Sequence, residues 1–304
     1  MLKDISFHIA ENENVGIIGL NGAGKTTLLD TIAGMVKPDS GFIRSDGKES
    51  VIEEKTSLRR FAYVSGTRSQ LWEALKLKDS FDNCISMYRL NRRDAAKRLA
   101  ELAETFEIGA FMERTPKGLS LGERMRCELV YALLTQPGIL MLDEVMNGLD
   151  VSMKYRIMQY LERYKNESHV TMIYTSNQLT EVEKLCDRVL LIDQGRLIFD
   201  GTMARIIKHF SPHYRIEIRG LDRLPDFEDL PIEKYSLDGE ALTIIYDKQK
   251  IGTVQILSHV MEKCKIRDVK LFEPNLEDTI KKIYRGQQIK MSIARRNERE
   301  KWKI

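Results

Sequence analysis

The sequence predicts an α/β domain carrying a phosphate-binding loop, followed by a smaller α+β domain, and three observations carry that prediction. Gly19-Leu20-Asn21-Gly22-Ala23-Gly24-Lys25-Thr26 fits the phosphate-loop pattern G-x-x-x-x-G-K-[ST]. About a hundred residues later, Leu119-Ser120-Leu121-Gly122-Glu123 precedes an apolar run that ends in two acids, Ile139-Leu140-Met141-Leu142-Asp143-Glu144. Up to about His209, short β-branched or apolar runs alternate with helical stretches, as in a sheet covered by helices.

Taken in order, Val15-Gly16-Ile17-Ile18 is a short buried-strand pattern, and residues 25–32 read as a helix ending at Gly34. The loop between them offers backbone N–H groups to the β- and γ-phosphates of a nucleotide, with Lys25 adding charge and Thr26 a hydroxyl for Mg²⁺. A glycine-rich turn that binds nothing is the alternative, and the strand, loop, helix order argues against it. Residues 79–90 and 92–106 carry apolar and small residues at helical spacing and predict a helical insertion over about 78–122. Residues 170–174, 179–185 and 189–192 continue the alternation. Arg196 to Asp200 is a late strand, and Thr202 caps a helix over 203–210 that Pro212 breaks.

The first domain is therefore expected over 1–210. Beyond it, Tyr214, Ile216 and Ile218 alternate with Arg215, Glu217 and Arg219, and Asp238-Gly239 is a hairpin signal leading into residues 241–246. Ile251, Val254, Leu257 and Met261 mark a helix face, followed by a strand at 268–272 and a helix after Asn275. This order predicts an accessory α+β domain over 211–285, with residues 286–304 as a basic tail.

A chain of 304 residues with 42% hydrophobic and 31% charged residues has room for two globular domains. No apolar run approaches the roughly 20 residues that span a bilayer, and the N-terminus lacks the pattern of a signal peptide, so a cytoplasmic protein is expected. A net charge of +3 argues against a nucleic-acid-coating protein, although Arg285 to Ile304 holds seven Lys or Arg against two Glu. Cys84, Cys127, Cys186 and Cys264 are far apart and read as buried, reduced thiols.

The phosphate loop, Gln70, the Leu119–Glu123 stretch, the Ile139–Glu144 run, the Gly148-Leu149-Asp150 turn and Asp187-Arg188 together resemble the nucleotide-binding subunit of ABC transporters. Residues 66–72 and 272–278 further resemble bacterial exporter-type ATPases of the daunorubicin- and viologen-export group. The resemblance implies the P-loop NTPase, ABC-type ATP-binding fold and two subunits meeting head to tail around two MgATP. Gly19, Asn21, Gly22, Ala23, Gly24, Lys25, Thr26 and Thr27 would cradle the phosphates of ATP. Ser120 and the backbone at Gly122 would reach the nucleotide on the opposite subunit, and Asp150 would organise the dimer contact. Thr26, Asp143 and Gln70 would serve Mg²⁺, and Glu144 would polarise the attacking water. Partners implied are a second nucleotide-binding subunit and an integral-membrane permease, with the chain held peripherally on the inner face of the cell membrane. Trp72 beside Gln70 is either a docking residue for that permease or a core residue.

Five departures stand out. Asn177 occupies the place of the family's switch histidine, and an amide cannot relay a proton, so slow hydrolysis is expected. Leu121 replaces a signature glycine, Glu123 a glutamine, and Val145-Met146 the usual Pro-Thr. The chain begins 18 residues before Gly19, leaving out the first strand and the adenine-stacking aromatic of the resemblance, which predicts weak base recognition with Tyr63 as a candidate substitute. The basic tail, with Trp302 among Arg295, Arg296, Arg299, Lys301 and Lys303, is either a lipid-headgroup contact or a solvated end. Two functional readings remain: an ATP-hydrolysing motor of a separate permease, in the direction of export as the resemblance implies, and an ATP-gated regulatory partner with little turnover.

Overall fold

The computed structural model describes residues 2–45, 48–49, 61–210, 213–273 and 280, with the side chains of 48–49 and 207–210 excepted. In chain order the elements are β1 (Asn14–Ile18), α1 (Lys25–Ile32), β2 (Arg44–Ser45), β3 (Lys48–Glu49), β4 (Phe61–Ser65), α2 (Leu77–Met87), α3 (Arg92–Thr105), α4 (Leu121–Leu134), β5 (Ile139–Asp143), α5 (Val151–Ser168), β6 (Thr171–Thr175), α6 (Leu179–Leu185), β7 (Arg188–Asp193), β8 (Arg196–Gly201), α7 (Met203–Phe210), β9 (His213–Arg219), β10 (Ile232–Asp238), β11 (Ala241–Asp247), α8 (Thr253–Lys263) and β12 (Asp268–Phe272).

The chain divides into two compact units, 1–202 and 203–304. The division falls before α7, not after residue 210 as the sequence predicts. β8 ends at Gly201 on the edge of the first sheet, so the helix that follows has no further strand there to return to.

In the first unit, six strands run in the order β4-β5-β6-β1-β7-β8. The contacts from β4 through β7 are parallel, and β8 closes the edge antiparallel to β7. Strands covered on both faces must be apolar along their whole length, and every residue of β1 and β6 is buried. The same requirement explains the continuous Ile-Leu-Met-Leu run of β5. A core of Val15, Ile17, Leu28, Leu29, Tyr63, Met141, Ile173, Leu190 and Ile192 joins α1 to the sheet. Leu2, Ile5, Phe7 and Ile9 pack on this core from an N-terminal segment without strand assignment.

Register fixes what happens at the carboxyl edge. Ser65 pairs with Asp143, Asp143 with Thr175, and Thr175 with Ile17, so one row crosses four strands immediately before their loops. Residues 19–24, 66–70, 144–148 and 176–178 therefore leave the same edge, where open parallel sheets place their ligands. The predicted insertion is built from α2, α3 and two short 3₁₀ turns, and leads into α4 at Leu121.

The second unit holds a four-stranded antiparallel sheet in the order β10-β11-β9-β12. Period-two alternation sends Ile216, Ile218, Leu242, Ile244 and Tyr246 to one face, where Ile256 and Val260 of α8 meet them. The helix expected after Asn275 and the basic tail lie outside the described residues, apart from Ile280.

Candidate functional site

The loop after β1 turns tightly enough to aim its backbone at one point. Gly24 sits at φ 107°, a left-handed conformation that residues with a Cβ rarely adopt, and it forms the N-cap of α1. No side chain caps that helix end, so its first N–H groups are left for an external acceptor. A helix end of this kind, with Lys25 as its first residue, fits a phosphate chain. Asn21, Gly22, Ala23, Thr26 and Thr27 lie on this loop and first turn; Ala23 is buried.

Lys25 is only 5% exposed. Its ammonium donates to the carbonyl of Gly19 at 3.0 Å and lies 3.1 Å from Oε1 of Glu144. A buried cation costs several kcal/mol unless it is paired, and here Glu144 provides the pairing. Thr26 Oγ1 donates to Asp143 Oδ2 at 2.8 Å, and Thr175 Oγ1 donates to the other oxygen, Oδ1, at 2.6 Å. The structure thus brings together Gly19, Lys25, Thr26, Asp143 and Glu144. Among the described residues no group of three or more His, Cys, Asp or Glu could hold a metal. A hydroxyl and a carboxylate in contact suit Mg²⁺, which takes one or two protein oxygens and completes its shell with water and phosphate.

Glu144 has φ 52°, strained for a residue with a Cβ. The conformation is fixed by its N–H, which donates to the Thr175 carbonyl and hydroxyl, and by Asn147 Nδ2, which donates to Oε2 at 3.0 Å. Thr175 and Asn147 are site residues that motif spacing does not reveal; a hydroxyl at the end of a strand pattern and a polar residue in the Glu144–Asp150 turn are the faint signals.

Gln70 is placed differently from the expectation. Its side-chain amide donates to the carbonyl of Tyr63 at 2.7 Å and so is engaged with β4. Tyr63 is no substitute for an adenine-stacking aromatic: it is 9% exposed, and its hydroxyl donates to Asp30 on α1 at 3.2 Å. Burial, with Asp143 and Asp30 nearby, pushes its phenol well above the usual range. Asn177 is exposed at the turn after β6. Its flank is held by Ser176 and Tyr174, both donating to the buried Glu181.

Ser120 caps α4 by accepting from the Glu123 N–H, while Glu123 accepts from the Ser120 N–H at 2.8 Å. A glutamine could accept the same bond; what the carboxylate of Glu123 adds is an ion pair with Arg114 at 3.2 Å. A Cβ on Gly122 would lie 2.6 Å from the Gly148 carbonyl, so only glycine fits there. Leu121 is 53% exposed and packs against Gly148. Asp150 caps α5 through the Met153 N–H, which together with neighbouring N–H groups holds its carboxyl below the usual range. Ser120, Gly122 and Asp150 thus form a second cluster, Gly122 meeting the turn at Gly148 that leads to Asp150.

Fold and site define a phosphate-loop nucleotide-binding α/β domain with its acids at the carboxyl edge of a parallel sheet. Residues 2–147 match the family model of ABC transporters. The ABC transporter ATP-binding protein NatA of Bacillus subtilis is 32% identical over 67% of this chain and 83% of its own length. The doxorubicin resistance ATP-binding protein DrrA of Mycobacterium tuberculosis is 33% identical over 68% of this chain, which spans 62% of it. The molybdate/tungstate import ATP-binding protein WtpC of Pyrococcus horikoshii is 32% identical, and 59% of its length is spanned. An ATP-binding subunit of an ABC transporter superposes with a TM-score of 0.63 at 28% identity, covering 69% of this chain and 86% of that one. A dimeric ATP-binding cassette in a post-hydrolysis state, bound to ADP and Pi, gives 0.58 at 26% identity, covering 66% and 90%. The chain belongs to the ABC transporter ATP-binding family, a family of ATPases.

Proposed function

We propose that this chain is a motor subunit that closes as a dimer around two MgATP and uses their hydrolysis to drive a separate membrane permease, in the direction of export. The observation that carries this reading is the convergence of Lys25, Thr26, Asp143 and Glu144 at one sheet edge. Lys25 meets the terminal phosphates. Its exchange of Glu144 for phosphate frees a carboxylate that Asn147 still holds by one oxygen, ready to accept a proton from water. Thr26 and Asp143 would hold Mg²⁺, which when bound neutralises phosphate charge. Gln70 would reach the metal and water only after leaving Tyr63.

Ser120 and Gly122 would complete the partner's site, as head-to-tail dimers require. Trp72, 50% exposed beside Gln70, would meet the permease. No described helix is long and apolar enough to cross a membrane, so the transport path in this reading is a separate permease, and the peripheral place of this chain on the inner membrane face rests on the family resemblance. Relatives named for import and for drug resistance are about equally similar, so export rests on the resemblance of residues 66–72 and 272–278.

Phosphate release from MgATP by the full chain and by Glu144→Gln, with mass measured alongside, tests this reading. Turnover should vanish in the variant while ATP-bound dimers accumulate; undiminished turnover would reject it. Asn177 favours a second reading, an ATP-gated regulatory partner. ATP binding without turnover in the unmodified chain would decide for that one.

A further inference from the structure

The most demanding group outside the phosphate site is Glu128. It lies in the middle of α4, 2% exposed, between Cys127 and Leu129, which are wholly buried. A carboxylate at such a place is costly unless donors surround it. The donors come from one short segment: the Ser69 hydroxyl on Oε1 and the Gln70 N–H on Oε2 at 3.0 Å. Ser69 Oγ also accepts from the Leu71 N–H at 3.2 Å, so the segment is folded around the hydroxyl that Glu128 holds. Burial drives the Glu128 carboxyl upward while these donors oppose it.

We propose that Glu128 is a positioning residue, anchoring the Ser69–Leu71 segment to α4 so that the placement of Gln70 follows the helix capped by Ser120. Eight residues, about two turns, separate Ser120 from Glu128 on a continuous helix. The Gln70 backbone is held on one side by Glu128 and its side chain on the other by the Tyr63 carbonyl. A shift of α4 is thereby passed to Gln70 through charge-assisted hydrogen bonds, which are shorter and stronger than neutral ones. Ser120 faces one nucleotide of the dimer and Gln70 the other, so the anchor joins the two sites within a subunit. This consequence rests on the function proposed above; the anchor itself does not.

Trp72 supplies a local reporter. The chain has two tryptophans, so Trp302→Phe leaves Trp72 alone. In that background, with the full chain, Glu128→Leu should raise acrylamide quenching of Trp72 about twofold as the segment is released. Glu128→Gln, which keeps one acceptor oxygen, should fall between. Far-UV circular dichroism should match for all three, and Glu128→Gln carries the test if the leucine variant does not fold. In hydrolysis, Glu128→Leu should lower kcat about tenfold with KM within about twofold, partly restored in Glu128→Gln. Adding Glu128→Leu to Gln70→Ala should cost nothing further, because both act through one group.

Unchanged Trp72 quenching in both Glu128 variants would overturn the anchor. So would kcat losses that multiply in the double variant. If Gln70→Ala leaves turnover intact while Glu128→Leu frees Trp72, the anchor stands and the role given to Gln70 in hydrolysis is what fails.

Discussion

Among the described residues, the first unit buries Asn14, Lys25, Asp30, Glu128, Asp143, Glu181 and Asp193 along with several hydroxyls, whereas the second buries one charged side chain, Asp247. Most of these charges have a named partner: Lys25 with Glu144, Asp30 with Tyr63 and Arg68, Glu128 with Ser69 and Gln70; Asp193 is the exception, its Oδ2 buried without one. Asp247 accepts from the Gln249 N–H at the end of its strand, a local turn bond. Buried polar groups weaken a fold unless each is satisfied, so a domain that concentrates them at one sheet edge is shaped by chemistry. Among the described residues, the core of the second unit follows alternation and packing. The difference separates a unit that carries buried charge at the candidate site from one whose described core is apolar, and each experiment below presses on it.

The largest effect should come from Lys25→Ala. The substitution removes the cation at the phosphate cradle and leaves Glu144 without its partner. Hydrolysis should fall by roughly 10²–10³-fold and ATP affinity should drop with it. Phosphate release and equilibrium nucleotide binding measure both. Turnover within twofold of the unmodified chain would break the assignment of this edge as the working site.

Ile244→Ala applies the opposite pressure. Ile244 is wholly buried between β9 and α8, and truncation there should destabilise the second unit by about 2–5 kcal/mol. Differential scanning calorimetry should show one transition moving down while ATP turnover stays within about twofold. A parallel collapse of turnover would mean that the second unit supports the chemistry directly.

A smaller effect is expected at the exposed Asn177. Placing an imidazole there by Asn177→His should raise turnover roughly tenfold, since a ring nitrogen can take and return a proton where an amide cannot. An equal or lower rate in the same assay would show that the turn after β6, held by Ser176 and Glu181, already serves without it.

Why some of this was legible from sequence and some was not follows from the range of the forces involved. The phosphate loop is local: strand, glycines, Lys25 and Thr26 lie within a dozen residues, and their roles follow from adjacent backbone geometry. The apolar run of β5 and the alternation of β9 and β11 are periodic, hence readable. Thr175 and Asn147 gain their roles from register and a turn conformation, Thr175 lying 32 residues from the Asp143 it touches. Glu128 reads as an ordinary helical acid until the loop 58 residues earlier folds onto it. Tyr63 looked free to stack on a base because nothing in its neighbourhood announces Asp30, 33 residues away. The domain edge moved because helical periodicity in α7 does not say which sheet the helix leaves.

The least intrusive test uses the thiols. Cys84, Cys127, Cys186 and Cys264 are all buried. Burial pushes the Cys84 and Cys127 thiols up to about 12, and Cys186 further still, so near neutral pH these three are almost wholly protonated and poor nucleophiles. A colorimetric disulfide reagent at pH 8 should therefore find no fast thiol in the native chain and all four after denaturation. Reaction then requires opening, and its rate reports the stability of whichever unit holds the thiol. Cys264 follows α8 in the second unit and the other three belong to the first. In Ile244→Ala, Cys264 should react first and alone, with Cys84, Cys127 and Cys186 protected as before. Release of several thiols together would show that the two units unfold as one, and the contrast between a chemical unit and a scaffold unit would then not extend to their stability.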